Sequence, residues 1–315
     1  MTLPIVTKEN IAGKKVLVRG DIDVPITDGK ITDDTRLLGI KSTIDFLLEN
    51  NAEVILCGHV GRPKNIDLKY STKPIQDYFP KIKVLENLRF DPREESNDLG
   101  FAQELASVSE VFINESFAES YREVASISGV AKLLPHFAGF RLAKEVEILS
   151  KVMDNPDRPM LVIIGGAKLD TKLPVINKMA TVADNVIVGG KLLQDEPTEN
   201  LSANIHLLEL TADTLDTKST SIDVYKNLIA NAATIVWNGP LGMVEDFTYQ
   251  IGTRRMAELV AHNETAYKVL GGGDTVGFIN KLGLTDKFSW ISSGGGSMLS
   301  FLSGEKLSGI EVLMA

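Results

Sequence analysis

The chain lacks most of the features that would place it in a familiar class at once. It has a single cysteine, Cys57, so no internal disulfide can form. Cys57 closes the apolar run Val54 to Leu56, which suits a packed thiol better than a nucleophile. Basic residues are outnumbered, and a net charge of −9 argues against a general nucleic-acid or membrane-surface binder. An acidic total still leaves room for a local basic pocket that takes a small anion. No apolar run approaches the length of a membrane span. Met1 to Lys15 is polar and mixed, without the apolar core of a signal peptide, so the expectation is a cytoplasmic enzyme. There is no Walker A pattern, and no G-x-G-x-x-G follows a strand, which excludes the common P-loop and dinucleotide fingerprints. A G-x-S-x-G elbow and a Ser-His-Asp arrangement are also missing. His59 has no second histidine at zincin spacing. Internal repeats, low-complexity stretches and long heptads are absent, so the sequence advertises no interface.

What is present is an alternation of short β-branched runs with amphipathic segments. With 315 residues and 43% hydrophobic content, the chain can build two cores. Strands are expected at 15–19, 53–57, 83–85, 110–114, 160–164, 185–188, 204–208, 234–237, 267–270 and 288–291. Helices are expected at 35–49, 101–106, 143–153, 173–180, 221–231, 253–262 and 276–282. On the first of these, Leu37, Ile40, Ile44, Leu47 and Leu48 recur at helical spacing. Apolar strands alternating with helices imply an α/β fold with parallel sheets covered on both faces. A junction is expected between Ala138 and Pro159, where a charged helix ends at Asp154-Asn155-Pro156. The stretch Lys191 to Ser202 reads as loop.

In open parallel sheets, ligands bind beyond the carboxyl ends of the strands. The unusual residues of this chain fall there. Gly271-Gly272-Gly273-Asp274-Thr275 follows an apolar strand and opens a helix. Backbone N–H groups at such a turn suit a phosphate, Asp274 offers a hard oxygen to Mg²⁺, and Thr275 offers a hydroxyl. A tight turn with a helix-capping Asp reads equally well from the motif alone. Gly165-Gly166-Ala167-Lys168 ends another strand, with Lys172 one helical turn later on the same face; a solvated lysine face is the alternative. Trp237-Asn238-Gly239-Pro240-Leu241-Gly242 with Glu245 forms a third such turn, which by itself is simply a loop. In the first half, Arg19, Arg36, His59, Arg62, Arg89 and Arg122 lie at strand ends and helix starts. Singly these are surface ion pairs; together they fit a pocket for a small, multiply charged acid. Arg19 is the weakest member, able to pair inside the sheet.

Taken in order, these motifs resemble the phosphoglycerate kinase family over nearly the whole chain. The resemblance rests on Val16 to Arg19 with Asp21, Asp23 and Pro25, on Asp33 to Arg36, on His59 to Lys64, and on Glu86 to Phe90. It continues through Gly165 to Lys168, Trp237 to Gly242, the GGGDT turn, and Ser292-Ser293-Gly294-Gly295-Gly296. It implies two Rossmann-like, three-layer parallel-sheet domains joined by a helix hinge. The implied division is 1–140 for 3-phosphoglycerate, 141–157 for the linking helix, 158–300 for Mg-nucleotide, and 301–315 for a segment returning to the first domain. It also implies reversible phosphoryl transfer between ATP and the carboxylate of 3-phosphoglycerate, in glycolysis and gluconeogenesis, by a monomer.

By the same resemblance the acid is held by Asp21, Asp23, Arg36, His59, Arg62, Arg89 and Arg122. The nucleotide is held by Lys168, Lys172, Asn238, Glu245, Gly272, Gly273, Asp274 and Thr275, with Mg²⁺ on Asp274. Arg36, Lys168 and Lys172 are the implied catalytic residues, and the amides of Gly272, Gly294 and Gly295 the implied transition-state donors. The chain is shorter than usual members between Lys64 and Leu85 and between Gly190 and Leu215. Asp23 stands where the family has Asn, Tyr121-Arg122-Glu123-Val124 lacks its paired histidines, Lys191 replaces a glycine, and Thr214 to Ser219 lacks a Gly and a Gly-Pro. The first two departures bear on acid affinity and the last two on nucleotide affinity. Two other readings stand beside the kinase: a kinase for another small carboxylate, and a non-catalytic nucleotide-binding relative.

Overall fold

The structure, a computed structural model, describes residues 2–167, 169–195 and 201–315. The chain divides into two compact units, one running to Ile148 and rejoined by Lys306–Ala315, the other spanning Leu149–Glu305.

In the first unit, helix α1 (Lys8–Ile11) precedes strand β1 (Lys15–Gly20), whose residues after Lys15 are all buried. A small antiparallel hairpin, β2 (Ile26–Thr27) and β3 (Lys30–Ile31), turns on Asp28 and Gly29, at φ 50° and 72°. Two left-handed residues in a two-residue loop match the strand twist, which is why Asp-Gly suits the turn. Helix α2 (Thr35–Glu49) follows, then β4 (Glu53–Cys57), α3 (Lys73–Tyr78), β5 (Lys83–Val84), α4 (Leu99–Ala106), β6 (Val111–Glu115) and β7 (His136–Ala138). Strands pair in the order β5-β4-β1-β6-β7, all parallel. The apolar stripe of α2, Leu37, Ile40, Ile44 and Leu47, is buried in one core with Val16, Val18, Val54 and Leu56. Each such side chain contributes roughly 1.5–3 kcal/mol on burial. Between Lys64 and Leu85, where the chain is expected to be shortened, α3 and the edge strand β5 form.

Helix α5 (Phe140–Asp154) carries the division between the units at Ile148. Its first N–H groups are held by β6: Glu115 accepts from the Arg141 and Leu142 N–H at 3.0 and 2.9 Å.

The second unit has strands β8 (Met160–Ile164), β9 (Asn185–Val188), β10 (Ile205–Leu207), β11 (Thr234–Asn238), β12 (Tyr267–Gly271) and β13 (Trp290–Ile291), with α6 (Leu169–Val182), α7 (Ser219–Asp223), α8 (Lys226–Asn231), α9 (Ile251–His262), α10 (Gly273–Lys281) and α11 (Gly295–Ser303) between or after them. Their order is β10-β9-β8-β11-β12-β13, again all parallel. One helical expectation changes. The segment 221–231 is two short helices, broken at Val224 and Tyr225, where Val224 is 73% exposed. Gly294 caps α11 and Gly295 and Gly296 open it, a helix not among those expected. Of the expected loop at Lys191 to Ser202, Lys191–Asp195 is a 3-10 turn and residues 196–200 lie outside the described residues. The C-terminal stretch packs on the first unit, where the Gly309 N–H donates to the Ser120 carbonyl at 2.8 Å and the Gly309 carbonyl accepts from Asn114 Nδ2 at 3.0 Å.

Candidate active site

Both sheets reverse their strand order beside a central strand, β1 next to β6 in the first and β8 next to β11 in the second. The carboxyl ends at such a reversal splay apart and leave a crevice. The functional side chains collect at these two places.

In the first unit, Asp21 follows β1 and is 5% exposed. Arg36, in the first turn of α2, donates to its Oδ1 at 2.5 Å, while Asp21 Oδ2 is buried without a partner. Asp23 accepts from the Gly61 N–H at 2.7 Å and faces His59 Nε2 at 3.7 Å. Burial alone would raise the Asp23 carboxyl, but His59 and the Gly61 N–H hold it well below the usual carboxylate range. It is therefore an anion that ties the β1 loop to the β4 loop. His59 is 5% exposed and its Nδ1 lies 3.0 Å from Arg19 Nη2. A guanidinium can only donate, so Nδ1 accepts and the neutral ring carries its proton on Nε2. Burial, with help from Arg19, pushes the imidazole below its ordinary value. Arg19 itself is 1% exposed and bonded to Ser126 and the Gly20 carbonyl, so it braces the sheet and is withdrawn from the pocket.

Arg89 donates to the Gly61 carbonyl at 2.8 Å and to Glu119 Oε2 at 3.1 Å. Arg122 stacks on the Tyr121 ring, donates to its hydroxyl at 2.6 Å, and sits 3.6 Å from the same Glu119 oxygen. The other Glu119 oxygen lies 3.8 Å from His59 Nε2. Arg62 is exposed and, among the described residues, its side chain has no ion pair. Asp23, His59, Arg89 and Arg122 are thus joined through Gly61 and Glu119, whereas Asp21 and Arg36 form a pair of their own and Arg62 is exposed next to Gly61 in the chain. Glu119 was not anticipated, because a lone acid in this segment gains meaning only once folding brings Arg89 to its carboxylate.

In the second unit, a cleft of about 230 Å³ is lined by Gly166, Ala167, Lys172, Asn238, Gly239, Pro240, Gly272, Gly273, Asp274 and Thr275. Lys172, on α6, is 9% exposed and donates to Asn238 Oδ1 at 3.0 Å. Burial pushes its ammonium down to about 8, against the opposing pull of Asp274. Gly239 has φ 96°, and a Cβ there would collide with the Gly165 carbonyl and crowd Lys172 Nζ, so this turn needs glycine. Gly272, at φ 91°, caps α10, and a Cβ on Gly295, the first residue of α11, would lie 2.8 Å from its Cα. Two helix N-termini therefore converge on one glycine, and the N–H groups of a first helical turn have no carbonyl partner within the helix. Thr275 Oγ1 is buried in this wall without a hydrogen-bond partner.

A sequence model of the family described as "Phosphoglycerate kinase" matches residues 6–83, 80–195 and 193–305. A phosphoglycerate kinase of Leptospira biflexa is 32% identical, with 100% of this chain and 99% of that protein covered. One of Fervidobacterium nodosum is 34% identical, with 96% of each covered. The chain belongs to the phosphoglycerate kinase family.

The solved structure of phosphoglycerate kinase from Coxiella burnetii superposes with a TM-score of 0.82 at 29% identity, covering 97% of each chain. That from Pyrococcus horikoshii gives 0.83 at 25% identity with the same coverage. The alignment to the Leptospira phosphoglycerate kinase spans 392 positions against 315 residues here, so this family member covers the same course with less chain. Of the residues expected to hold nucleotide in a phosphoglycerate kinase, Lys172, Asn238, Gly272, Gly273, Asp274 and Thr275 share the cleft. Glu245 is exposed and is not among the residues lining it, and Lys168 lies outside the described residues.

Proposed function

We propose that this protein transfers a phosphoryl group reversibly between ATP and the carboxylate of 3-phosphoglycerate, giving ADP and 1,3-bisphosphoglycerate. The observation that carries the reading is Lys172. It is nine-tenths buried, and among the described residues it makes no ion pair and only a neutral amide accepts its hydrogen bond. A buried cation with no carboxylate in contact is costly, and a bound nucleotide phosphate would supply a direct counter-charge.

A carboxylate oxygen is already a nucleophile, so the transfer needs alignment and charge stabilisation in place of a general base. Asp21 would orient Arg36, which their 2.5 Å contact supports, so that the guanidinium fixes the acid's carboxylate. Lys172 and the amides of Gly272, Gly294 and Gly295 would take the negative charge on the transferring group; Lys168 completes this set in our reading. Asn238 would keep the Lys172 ammonium aimed across the cleft. His59, Arg62, Arg89 and Arg122 would hold the acid's phosphate. Hinge-bending would bring the acid to the nucleotide, and the enzyme would act as a cytoplasmic monomer.

The cleft fits a magnesium nucleotide. Among the described residues no group of three or more His, Cys, Asp or Glu could hold a metal alone, and magnesium ordinarily binds one or two carboxylates plus substrate phosphates. Asp274 would supply the carboxylate, and the Thr275 hydroxyl in the same wall, unpartnered among the described residues, is an orphan that phosphate oxygens would satisfy. Bound there, Mg²⁺ would neutralise phosphate charge.

The test is steady-state ADP formation from ATP with a panel of acids, with and without Mg²⁺. We expect turnover that requires both 3-phosphoglycerate and Mg²⁺. Equal or better turnover with an unphosphorylated acid would move the assignment to another carboxylate, and none with any acid would favour a binding protein.

A further inference from the structure

The acid site contains an acid of its own. Glu119, on the 3-10 turn Phe117–Glu119 after β6, has a side chain only 12% exposed. Its two oxygens engage three of the four groups that would receive a phosphate: Arg89 at 3.1 Å, Arg122 at 3.6 Å and His59 Nε2 at 3.8 Å. Glu95 adds a second carboxylate 3.5 Å from Arg89 Nε, and Asp23 a third 3.7 Å from His59. The ring is neutral here, so two guanidinium charges face three carboxylates. Of the four groups, only Arg62, which is exposed, has no carboxylate partner among the described residues.

We infer that Glu119 is a specificity-determining residue of the acid site, a built-in competitor that occupies the Arg89 and Arg122 donors and weakens binding of an acid bearing a doubly charged phosphate. Carboxylate and phosphate seek the same planar N–H forks. A dianion arriving at Arg89 and Arg122 must displace Glu119 or share their donors with it at close range. An acid without the phosphate makes no such demand. This inference deepens the phosphoglycerate kinase reading and rests on it.

The ordinary alternative is that Glu119 positions the two arginines for substrate. The alternatives differ in sign, because loss of a positioning group loosens binding, whereas loss of a competitor tightens it. Glu119→Gln separates them, since the amide oxygen still accepts from Arg89 while the charge is gone. The experiment is calorimetric titration of wild type and Glu119→Gln with 3-phosphoglycerate and, in parallel, with glycerate, followed by KM for both substrates. Removing one charge a few ångströms from a dianion should tighten 3-phosphoglycerate roughly tenfold or more. Glycerate affinity and the KM for ATP should change by less than about twofold, since neither places a dianion beside this carboxylate. Unchanged or weaker 3-phosphoglycerate binding by the variant overturns the inference, as does equal tightening of both acids. Wild-type turnover with an unmoved KM in the variant would overturn it and leave the kinase reading intact. Tightening in the variant without turnover in either protein would support the inference and count against the kinase reading.

Discussion

Lys172 Nζ, on α6, donates to Asn238 Oδ1 at the end of β11 across 3.0 Å. That bond joins the two sides of the cleft and fixes where the ammonium points. Its consequence is that removal of the lysine should act on the chemistry more than on binding. Lys172→Ala is expected to lower kcat by two to three orders of magnitude, the usual effect of losing one preorganised donor worth about 3–4 kcal/mol. Nucleotide dissociation constants from calorimetry should stay within a few-fold. Turnover close to wild type would remove Lys172 from its assigned role.

The same residue sets a pH limit. Burial brings its ammonium down to about 8 from the ordinary 10.5. The free enzyme therefore loses this charge as pH rises through 8, and kcat/KM for nucleotide should decline there. Bound phosphates favour the protonated form, so kcat should hold to higher pH. Unfolding would not explain such a decline. Between about 8 and 10.5 the unfolded chain binds more protons at this site than the folded one, so this group's contribution to stability rises with pH. A pH profile of kcat/KM that stays flat to pH 10 would contradict this.

Asp274 begins α10 beside the cleft. Asp274→Asn keeps the size of the side chain and removes its charge. We expect Mg²⁺-dependent nucleotide binding to weaken at least tenfold, with magnesium-free binding little changed. Superimposable magnesium titration curves for variant and wild type would exclude it as the metal carboxylate.

A stability prediction concerns Glu115, which is 1% exposed at the end of β6. It accepts from Thr43 Oγ1 at 2.5 Å and from the Arg141 and Leu142 N–H groups. Glu115→Ala leaves these donors buried and unpaired and should cost about 2–4 kcal/mol, read as a fall in denaturation midpoint. Burial also pushes the Glu115 carboxyl up to about 7 from 4.5. The folded state then binds more protons than the unfolded across that window, so this group's contribution falls as pH rises from about 4.5 to 7. The variant should lack that component. A midpoint within 0.5 °C of wild type would contradict the capping role.

The long strands were legible because a buried parallel strand needs a continuous apolar run, and Val16 to Val18, Val54 to Leu56 and Met160 to Ile164 are such runs. Strand ends carried the site residues, since only there does a parallel sheet leave room for a ligand. The small hairpin was missed although Asp28-Gly29 carries its signal, because its strands are two residues each and show no alternation. Helix α11 was hidden by Gly294 to Gly296, poor helix formers, of which Gly295 is needed where α11 approaches Gly272 closely. Glu119 was illegible for a different reason. One acid in a polar segment says nothing until folding brings Arg89, thirty residues away, to its carboxylate.

The central claim is that the phosphoryl group goes to a carboxylate. Trapping the product with hydroxylamine tests this most directly, because an acyl phosphate yields a hydroxamate and a phosphate ester does not. With ATP, Mg²⁺ and 3-phosphoglycerate, the account predicts hydroxamate formed in step with ADP, and neither without the acid. ADP released with no hydroxamate would mean hydrolysis or a different acceptor group, and would contradict it.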